Sequence, residues 1–232
     1  MIISGLQKTT LIDYPDKIAA VVFTRGCNFK CPFCYNPELV NPDKYYPEMP
    51  EQEILDYLEK RKNVLDGVVI TGGEPLIYSD IENFIRKVKA MGYKIKLDSN
   101  GTNPKLLEDL IDKKLVDFVA MDIKNYLDKY DETTGVKVNK DNIKKSIDII
   151  MKKAPDYEFR TTVLPRLHKK EDFKKMGELI KGAKQYYIQG FRPIKTLDPE
   201  YAKEDSYTEK ELEEFKEIMA GYVDKCEIRG II

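Results

Sequence analysis

The sequence lacks long hydrophobic runs and has almost no net charge. Its longest early apolar run covers residues 18–23, which is far too short to cross a bilayer, and the N-terminus shows no signal-peptide pattern. The formal net charge of the 232-residue chain is -1, so no overall positive field attracts nucleic acid or an anionic membrane. We expect a cytoplasmic protein of one domain, with neither a nucleic-acid partner nor a membrane.

Histidine and cysteine are scarce, which limits the metal sites that the chain can build. It has one histidine, His168, and four cysteines, of which Cys27, Cys31 and Cys34 share one short segment and Cys226 is far away. A structural zinc site needs four ligands, and an isolated trio cannot pair evenly into disulfides. A four-iron cluster takes one thiolate per iron, so this trio would leave one iron open to a substrate. The sequence favours such a cluster, with zinc and a disulfide as alternatives.

Apolar segments rich in β-forming residues alternate with helical patterns along almost the whole chain. We predict strands at residues 18–24, 68–71, 95–98, 118–123, 159–164 and 186–191, and a short last strand near 226–228. Helices are predicted at 79–92, from 103 onward, and at about 141–153, 171–182 and 209–222, whereas residues 36–50 are expected to form an ordered loop. This alternation indicates a parallel sheet with crossover helices. Six units are too few for a closed eightfold barrel.

We therefore predict an α/β fold, an open (β/α)6 three-quarter barrel of the TIM type. It forms a single domain over residues 1–232, with a core at about 15–195 and a C-terminal helix and short strand within 205–230. Three helix starts have recognisable caps. Ser79 with Glu82 and Thr208 with Glu211 match the capping box, and Asn103 is followed by a proline suited to the first turn.

Polar or glycine-rich motifs follow the first four predicted strands. The cysteines follow the first strand and Gly72-Gly73-Glu74-Pro75 the second, whereas Asp98-Ser99-Asn100 and Asp122-Ile123-Lys124 come at the ends of the third and fourth. The C-terminal ends of barrel strands are where active sites form, so we expect these motifs to meet.

Strand alternation separates two sets of residues in the fourth strand. It places Ala120, Asp122 and Lys124 on one face, and the larger apolar residues on the other. The first set predicts a polar barrel interior, and the apolar set predicts a face covered by helices. A solvated strand end is the alternative for the two charges.

The cysteine pattern Cys-x3-Cys-x2-Cys, with Phe33 directly before Cys34, resembles the signature of the radical S-adenosylmethionine (radical SAM) enzymes. Gly72-Gly73-Glu74-Pro75 resembles a second landmark of that superfamily. Residues 4–15 are similar to the start of activating proteins for glycyl radical enzymes, especially those of anaerobic ribonucleoside-triphosphate reductase. The resemblance covers about residues 1–195 and implies the radical SAM fold. It also implies a [4Fe–4S] cluster held by Cys27, Cys31 and Cys34, with S-adenosylmethionine as the second cofactor.

The resemblance further implies which residues contact S-adenosylmethionine. These are Phe33, Cys34, Tyr35, Gly72, Gly73, Glu74, Asp98, Asn100, Asp122, Ile123, Lys124, Arg160 and Gln189. The two glycines would let backbone carbonyls approach the methionine amino group, and the segment around Phe33 and Tyr35 would bind adenine.

Other expectations concern single residues. Arg160 would pair with the ligand carboxylate or a substrate backbone, with a structural ion pair as the alternative. Gln189 lies where relatives often have histidine, which leaves its ribose contact open. Asp98 and Asp122 would crowd two negative charges, so a monovalent cation is a further possible cofactor. We expect His168 at the surface and Cys226 as a small buried hydrophobe.

The resemblance implies an activase. The enzyme would cleave S-adenosylmethionine reductively and abstract hydrogen from a glycine of a larger glycyl radical enzyme, with a flavodoxin- or ferredoxin-like electron donor. No catalytic residue beyond the cluster and bound S-adenosylmethionine is expected. Residues 35–71 contain no cysteine, which excludes a ferredoxin-like insert there. The alternatives are an activase of a pyruvate formate-lyase-like enzyme, a radical SAM enzyme acting on a small molecule, and a non-catalytic metal-binding module.

Overall fold

The computed structural model describes residues 1–230, which contain one eight-stranded sheet. The strands lie side by side in chain order: β1 (Ile3–Thr10), β2 (Ala19–Thr24), β3 (Gly67–Gly72), β4 (Lys94–Ser99), β5 (Phe118–Asp122), β6 (Tyr157–Val163), β7 (Gln185–Gly190) and β8 (Lys225–Arg229). β1 is antiparallel to β2, and every other neighbouring pair is parallel. Strands β2–β7 are those of the predicted open partial barrel, which is confirmed, and β8 is the predicted short last strand.

Helices connect the parallel strands. They are α1 (Pro37–Val40), α2 (Glu51–Lys60), α3 (Ile81–Ala90), α4 (Pro104–Asp112), α5 (Tyr130–Thr134), α6 (Lys140–Lys153), α7 (Lys170–Leu179) and α8 (Glu209–Met219). Each parallel connection contains at least one of these helices, as crossover connections require. Within residues 1–230, no helix is long and apolar enough to cross a membrane. Ile231 and Ile232, which the predicted domain includes, lie outside the described residues.

Two of the three predicted helix caps are present. Asn103 Oδ1 accepts a hydrogen bond from the Leu106 amide at 3.2 Å, which caps α4. The capping box of α8 is reciprocal: Thr208 Oγ1 accepts from the Glu211 amide, and Glu211 Oε2 accepts from the Thr208 amide at 2.9 Å. Caps of this kind are local interactions, which is why they can be read from the sequence.

The third predicted cap, at Ser79 and Glu82, was wrong. α3 begins at Ile81 with Asp80 in the N-cap position. The Glu82 carboxylate instead pairs with Arg86 at 2.6 Å and with Lys113 at 2.8 Å. Glu82 therefore forms ion pairs instead of a cap. Its partner Lys113, which follows α4, is too far away in the chain to be found from the local pattern.

The sequence pattern missed two main elements, β1 and α2. β1 is an edge strand that exposes Gln7, Lys8 and Thr9, so its apolar alternation is weak. α2 is rich in glutamate, and Ile54, Leu55 and Leu58 are the residues that it buries. The short helix α1 also interrupts the predicted loop at residues 36–50.

The alternation predicted for β5 is confirmed. Val119, Met121 and Ile123 are buried in the large core between the sheet and the helices. Ala120 points to the opposite face, into a separate small cluster inside the barrel. That cluster consists of Tyr14, Ala19, Val21, Val69, Phe118 and Ala120, with Phe23 packed against it. The apolar inner cluster fills the lower barrel and leaves the upper interior to polar groups.

Candidate functional site

A cavity of about 430 Å³ opens at the C-terminal ends of the parallel strands. All three clustered cysteines line it, together with every predicted ligand-binding residue except Ile123. The residues of this set are Cys27, Cys31, Phe33, Cys34, Tyr35, Gly72, Gly73, Glu74, Asp98, Asn100, Asp122, Lys124, Arg160 and Gln189. The structure thus brings the four predicted motifs to one place. Which of these residues contact a ligand remains a prediction.

The cysteine segment follows β2 and packs directly on the double glycine at the end of β3. A Cβ on Gly73 would lie 1.8 Å from the carbonyl oxygen of Gly26, and a Cβ on Gly72 would lie 2.4 Å from backbone atoms of Thr24. Gly72 also has a φ of +122°, a conformation that side chains disfavour. The glycines are therefore required by backbone packing next to Cys27. The predicted approach of their carbonyls to a ligand is a separate prediction.

The three thiols lie in a mostly buried environment. Burial raises the pKa of Cys27 to about 12, that of Cys31 to about 11, and that of Cys34 in the same direction. The positive charge of Lys124 acts against this rise at all three sulfurs. The thiolates need a positive partner to form here, and bound iron provides that charge because metal binding deprotonates thiols.

Two aspartates and an arginine form an ion network opposite the thiols. Arg160 Nε donates to Asp122 Oδ1 at 2.8 Å, and its Nη2 donates to Asp98 Oδ2 at 3.0 Å. Lys124 Nζ donates to Asp122 Oδ2 at 3.2 Å. Burial alone would raise the pKa of Asp122, but Lys124 and Arg160 outweigh it and hold that pKa below its usual value. Asp98 follows the same pattern, with Arg160 and a lysine as its positive neighbours.

That lysine is Lys96, which sequence reasoning missed. Its Nζ donates to Asp98 Oδ1 at 2.5 Å from a side chain that is 2% exposed, and it lies over the ring of Phe118. Lys96 and Asp98 are two positions apart in β4 and so share the interior face. The same alternation argument that was used for β5 could have found it.

The protein supplies a positive charge between the two aspartates, and the binding of a monovalent cation stays a prediction. The cation was predicted because Asp98 and Asp122 would repel each other, and the Arg160 guanidinium lies between them. The alternative considered for Arg160, a structural ion pair, is therefore present.

Glu74 has a structural environment that the sequence did not indicate. Its carboxylate is buried and accepts hydrogen bonds from the Leu76 amide at 3.1 Å, the Ser99 hydroxyl at 2.9 Å and the Asn100 amide at 2.6 Å. Burial raises the pKa of Glu74 to about 7, and these three donors limit the rise. Glu74 thus joins the turn after β3 to the end of β4, so its oxygens are used within the protein.

An aromatic contact holds Tyr35, one of the two residues around which adenine binding is predicted. Phe33 is buried, whereas Tyr35 is half-exposed and stacks on Phe191 with ring centroids 5.8 Å apart. The Tyr35 hydroxyl accepts a hydrogen bond from the Arg192 amide at 2.7 Å. On β7, Gln189 lines the cavity and accepts a long hydrogen bond from Thr162 at 3.5 Å.

Ile123 lies outside the cavity lining, so its ligand contact stays a prediction, whereas the expectation for His168 was wrong. The Ile123 side chain lies in the outer core, and its backbone groups bond to β6, through the Arg160 carbonyl at 2.8 Å and the Thr161 hydroxyl at 2.6 Å. His168, expected at the surface, is fully buried. Its Nδ1 accepts from the Leu164 amide at 3.3 Å, and its Nε2 lies 2.8 Å from the Lys124 carbonyl oxygen. Cys226 is half-buried against the main core, consistent with a packing role.

The cavity also reaches the free edge of the sheet, which sequence reasoning did not anticipate. Arg229 and Gly230 at the end of β8 line it, as does Asp13 from the connection after β1. Arg229 donates to both oxygens of the buried Glu158 carboxylate, at 3.1 and 2.9 Å. In the part of the chain that the structure describes, β8 pairs with β7 but not with β1. The sheet of the described residues therefore has two free edges, and the cavity reaches the one formed by β8.

The cofactors implied by the resemblance fit these residues. Three soft thiolate ligands line one wall, as an iron–sulfur cluster requires. The cavity volume lies within the range of small-molecule sites. Lys124 uses one of its three N–H donors on Asp122, so the others can bind a carboxylate.

Comparison with known proteins identifies the family of this chain. A model of the Radical SAM superfamily matches residues 21–180. A Methanocaldococcus jannaschii protein with the provisional name of glycyl-radical enzyme activating enzyme is 37% identical, over 99% of this chain and 96% of its own. A pyruvate formate-lyase-activating enzyme of Clostridium pasteurianum is 27% identical, over 88% of this chain and 89% of its own.

A solved structure supports the fold. Streptococcus suis SuiB bound to the precursor peptide SuiA matches with a TM-score of 0.67 at 16% identity. The match covers 90% of this chain and 48% of that chain, so this chain spans about half the length of SuiB. At this identity the similarity concerns the fold.

Proposed function

Because this chain belongs to the radical SAM superfamily, in the branch of glycyl-radical enzyme activating enzymes, we propose that it activates an anaerobic ribonucleoside-triphosphate reductase. The observation that carries the proposal is one cavity that contains both the cysteine trio and the open edge at Arg229 and Gly230. A glycine in a protein loop cannot enter a closed pocket, and the gap between β1 and β8 provides a path for such a loop.

Residues 4–15 favour the reductase as the partner. They are the segment that resembles the activases of this reductase, and they form β1 and the start of its connection to β2. Tyr14 from this connection is buried in the cluster inside the barrel, and Asp13 lines the cavity. Because β1 is the first strand of the sheet, this segment forms one of the two free sheet edges.

The chain's own side chains would hold and orient the cofactors. Cys27, Cys31 and Cys34 would bind the cluster and leave one iron for S-adenosylmethionine. When bound, the cluster would supply the electron that cleaves S-adenosylmethionine, and the adenosyl fragment would then take a hydrogen atom from the glycine. Lys124 and Arg160 place positive charge where the ligand carboxylate is expected. The apolar cluster below them excludes water from the reacting groups.

Two further parts of the proposal concern the surroundings of the enzyme. An outside electron donor of the flavodoxin or ferredoxin type would reduce the cluster, and the absence of cysteines from residues 35–71 means that no second cluster is built there. A cytoplasmic location follows from the need to keep the clustered thiols reduced.

The test is anaerobic reconstitution with iron and sulfide, followed by reduction in the presence of S-adenosylmethionine. We expect 5′-deoxyadenosine to form. Addition of the large reductase subunit should then give the doublet electron paramagnetic resonance (EPR) signal of a glycyl radical. Failure to form 5′-deoxyadenosine from a fully loaded enzyme would rule out the proposed activity.

The second candidate partner is a pyruvate formate-lyase-like enzyme. It is favoured by the 27% identity to the Clostridium pasteurianum activating enzyme along most of both chains. The same assay with a formate-lyase subunit separates the two candidates. A radical on the lyase but not on the reductase would establish this second partner, and 5′-deoxyadenosine without either radical would favour a small-molecule substrate.

A further inference from the structure

Three polar side chains form a closed hydrogen-bonded ring beside Cys27. Asn100 Nδ2 donates to Asn28 Oδ1 at 2.8 Å, and Asn28 Nδ2 donates to Thr102 Oγ1 at 2.8 Å. The Thr102 hydroxyl donates in turn to Asn100 Oδ1 at 2.7 Å. This amide ring (Asn28, Asn100 and Thr102) joins the cysteine segment to the loop after β4.

The amide ring determines which way the Asn100 side chain faces. An asparagine amide has one acceptor oxygen and two N–H donors. Asn100 Oδ1 accepts from both the amide and the hydroxyl of Thr102, so its Nδ2 must face the cysteine segment. One N–H is used by Asn28, and the other is directed at Cys27 Sγ, with the nitrogen 4.0 Å from the sulfur. Within residues 1–230, Asn100 is the one side chain that donates to a cysteine sulfur.

The backbone of Asn100 is held as firmly as its side chain. Its amide donates to the buried Glu74 carboxylate at 2.6 Å. The next residue, Gly101, has a φ of +79°, and a Cβ there would lie 2.1 Å from Met121 Cε. Asn100 itself is buried. The donor is therefore preorganised on a buried residue, although Asn28 in the amide ring is exposed, and a partly buried hydrogen bond is electrostatically stronger than one in water.

We propose that Asn100 is a positioning residue that raises the reduction potential of the cluster, and that Asn28 and Thr102 set its orientation. The inference rests on the proposed function, because it requires a cluster on Cys27, Cys31 and Cys34. Hydrogen bonds to cluster sulfurs are one of the factors that set the potential of iron–sulfur clusters. A donor to sulfur stabilises the more negative, reduced state. The Asn100 side-chain amide thus serves Cys27, and the contact with S-adenosylmethionine predicted from the sequence stays a separate prediction.

The experiment is an anaerobic redox titration of the reconstituted enzyme, followed by EPR of the reduced cluster without S-adenosylmethionine or partner. Asn100→Leu removes the donor at similar volume. We expect the ratio of reduced to oxidised cluster at the wild-type midpoint to fall about tenfold, which is a midpoint lower by about 59 mV for one electron. Thr102→Val should shift the midpoint less, in the same direction.

Asn142→Leu is the matched control. Asn142 donates to the Thr102 carbonyl at 3.0 Å, so it contacts the same loop but is not part of the amide ring. Its midpoint should equal that of the wild type. A wild-type midpoint in Asn100→Leu with iron and sulfide retained would overturn the proposal, as would an equal shift in Asn142→Leu. If Asn100→Leu does not retain iron, an unchanged midpoint in Thr102→Val overturns it instead.

The outcomes separate this inference from the proposed function. A cluster that titrates as expected in an enzyme that never forms a glycyl radical would refute the proposed function alone. An unchanged midpoint in a fully active variant would refute the inference alone.

Discussion

Arg160 and Asp122 are direct neighbours across β6 and β5, and the Arg160 Nε donates to the Asp122 carboxylate at 2.8 Å. The same guanidinium reaches Asp98 on β4 at 3.0 Å. One side chain therefore joins three strands inside the barrel, directly beneath the expected ligand site. Its planar group with several donors suits this bridging, which a lysine ammonium cannot reproduce with the same geometry.

Arg160→Met should destabilise the fold by about 3–5 kcal/mol at pH 7, because two buried carboxylates lose their shared partner. The loss should depend on pH. In the wild type the pKa values of both aspartates are lowered, so their stabilising contribution is present above about pH 4 and is lost at lower pH. In the variant the two aspartates keep Lys124 and Lys96 but lose the charge of Arg160, so their pKa values should be higher than in the wild type. The deficit of the variant should therefore grow as the pH rises from about 4.

Urea unfolding at pH 4 and pH 7 measures this difference. Arg86→Met is the control, because Arg86 forms an exposed pair with Glu82 one helical turn away. That change should cost at most about 0.5 kcal/mol at either pH. A deficit of Arg160→Met that is as large at pH 4 as at pH 7 would show that lost packing, and not charge, causes it.

Cys31→Ala should abolish cluster assembly, because two thiolates cannot hold the cluster against its requirement for one ligand at each of three irons. Cys226→Ala should retain iron and cost stability by no more than a few kcal/mol, since Cys226 packs against the core on β8. Iron and sulfide analysis of the two reconstituted proteins gives the comparison. Equal loss of iron from both would make Cys226 a ligand.

Gly73→Ala should prevent the cysteine segment from reaching its position, because the added Cβ would overlap the Gly26 carbonyl oxygen at 1.8 Å. We expect loss of iron binding together with lower stability. Gly221→Ala adds the same methyl group where the nearest atom, the Ile218 carbonyl oxygen, is 3.5 Å away, and it should retain full iron content. Normal iron loading of Gly73→Ala would mean that the turn after β3 can shift without disturbing the site.

His168→Gln should change the acid side of the stability profile. Burial lowers the pKa of His168 from 6.5 to about 4, so the unfolded chain binds a proton between these values before the folded chain does. The wild type therefore loses stability as the pH falls from 6.5 to 4, and the variant lacks this loss. The deficit of His168→Gln should be about 2–3 kcal/mol smaller at pH 4.5 than at pH 7.5.

Denaturant unfolding of both proteins across this pH range is the measurement. Glu74 and the aspartates titrate in both proteins, so the difference between the two curves isolates the histidine. If the difference in the free energy of unfolding between the two proteins does not change with pH, His168 is not held neutral in the fold.

Local chemistry let the sequence predict much of the fold. Strands β2–β8 could be found as apolar segments between helical patterns. A strand that is buried on both faces is rich in apolar residues, and this composition is visible in the sequence. The caps at Asn103 and Thr208 were found because their partners are three residues away. β1 and α2 were missed, since edge strands and surface helices bury too few residues to produce a clear pattern.

The candidate site divides in the same way. The cysteine trio, the double glycine and the charges at the strand ends were visible in the sequence, since each motif is short and follows a strand. The sequence could not pair Arg160 with Asp98, which is 62 positions away, or show that Glu74 receives the Asn100 amide. Neither could it place His168 in the interior, where the Lys124 carbonyl lies 44 positions from it in the chain.

The amino-acid order by itself determined the alternation of strands and helices and the set of chemical groups at the strand ends. The tertiary structure decided which charges neutralise one another, where the barrel stays open, and which way the Asn100 amide faces. The physical reason is that periodicity and capping act over a few residues, whereas ion pairs and close backbone contacts depend on distances that only the closed sheet defines.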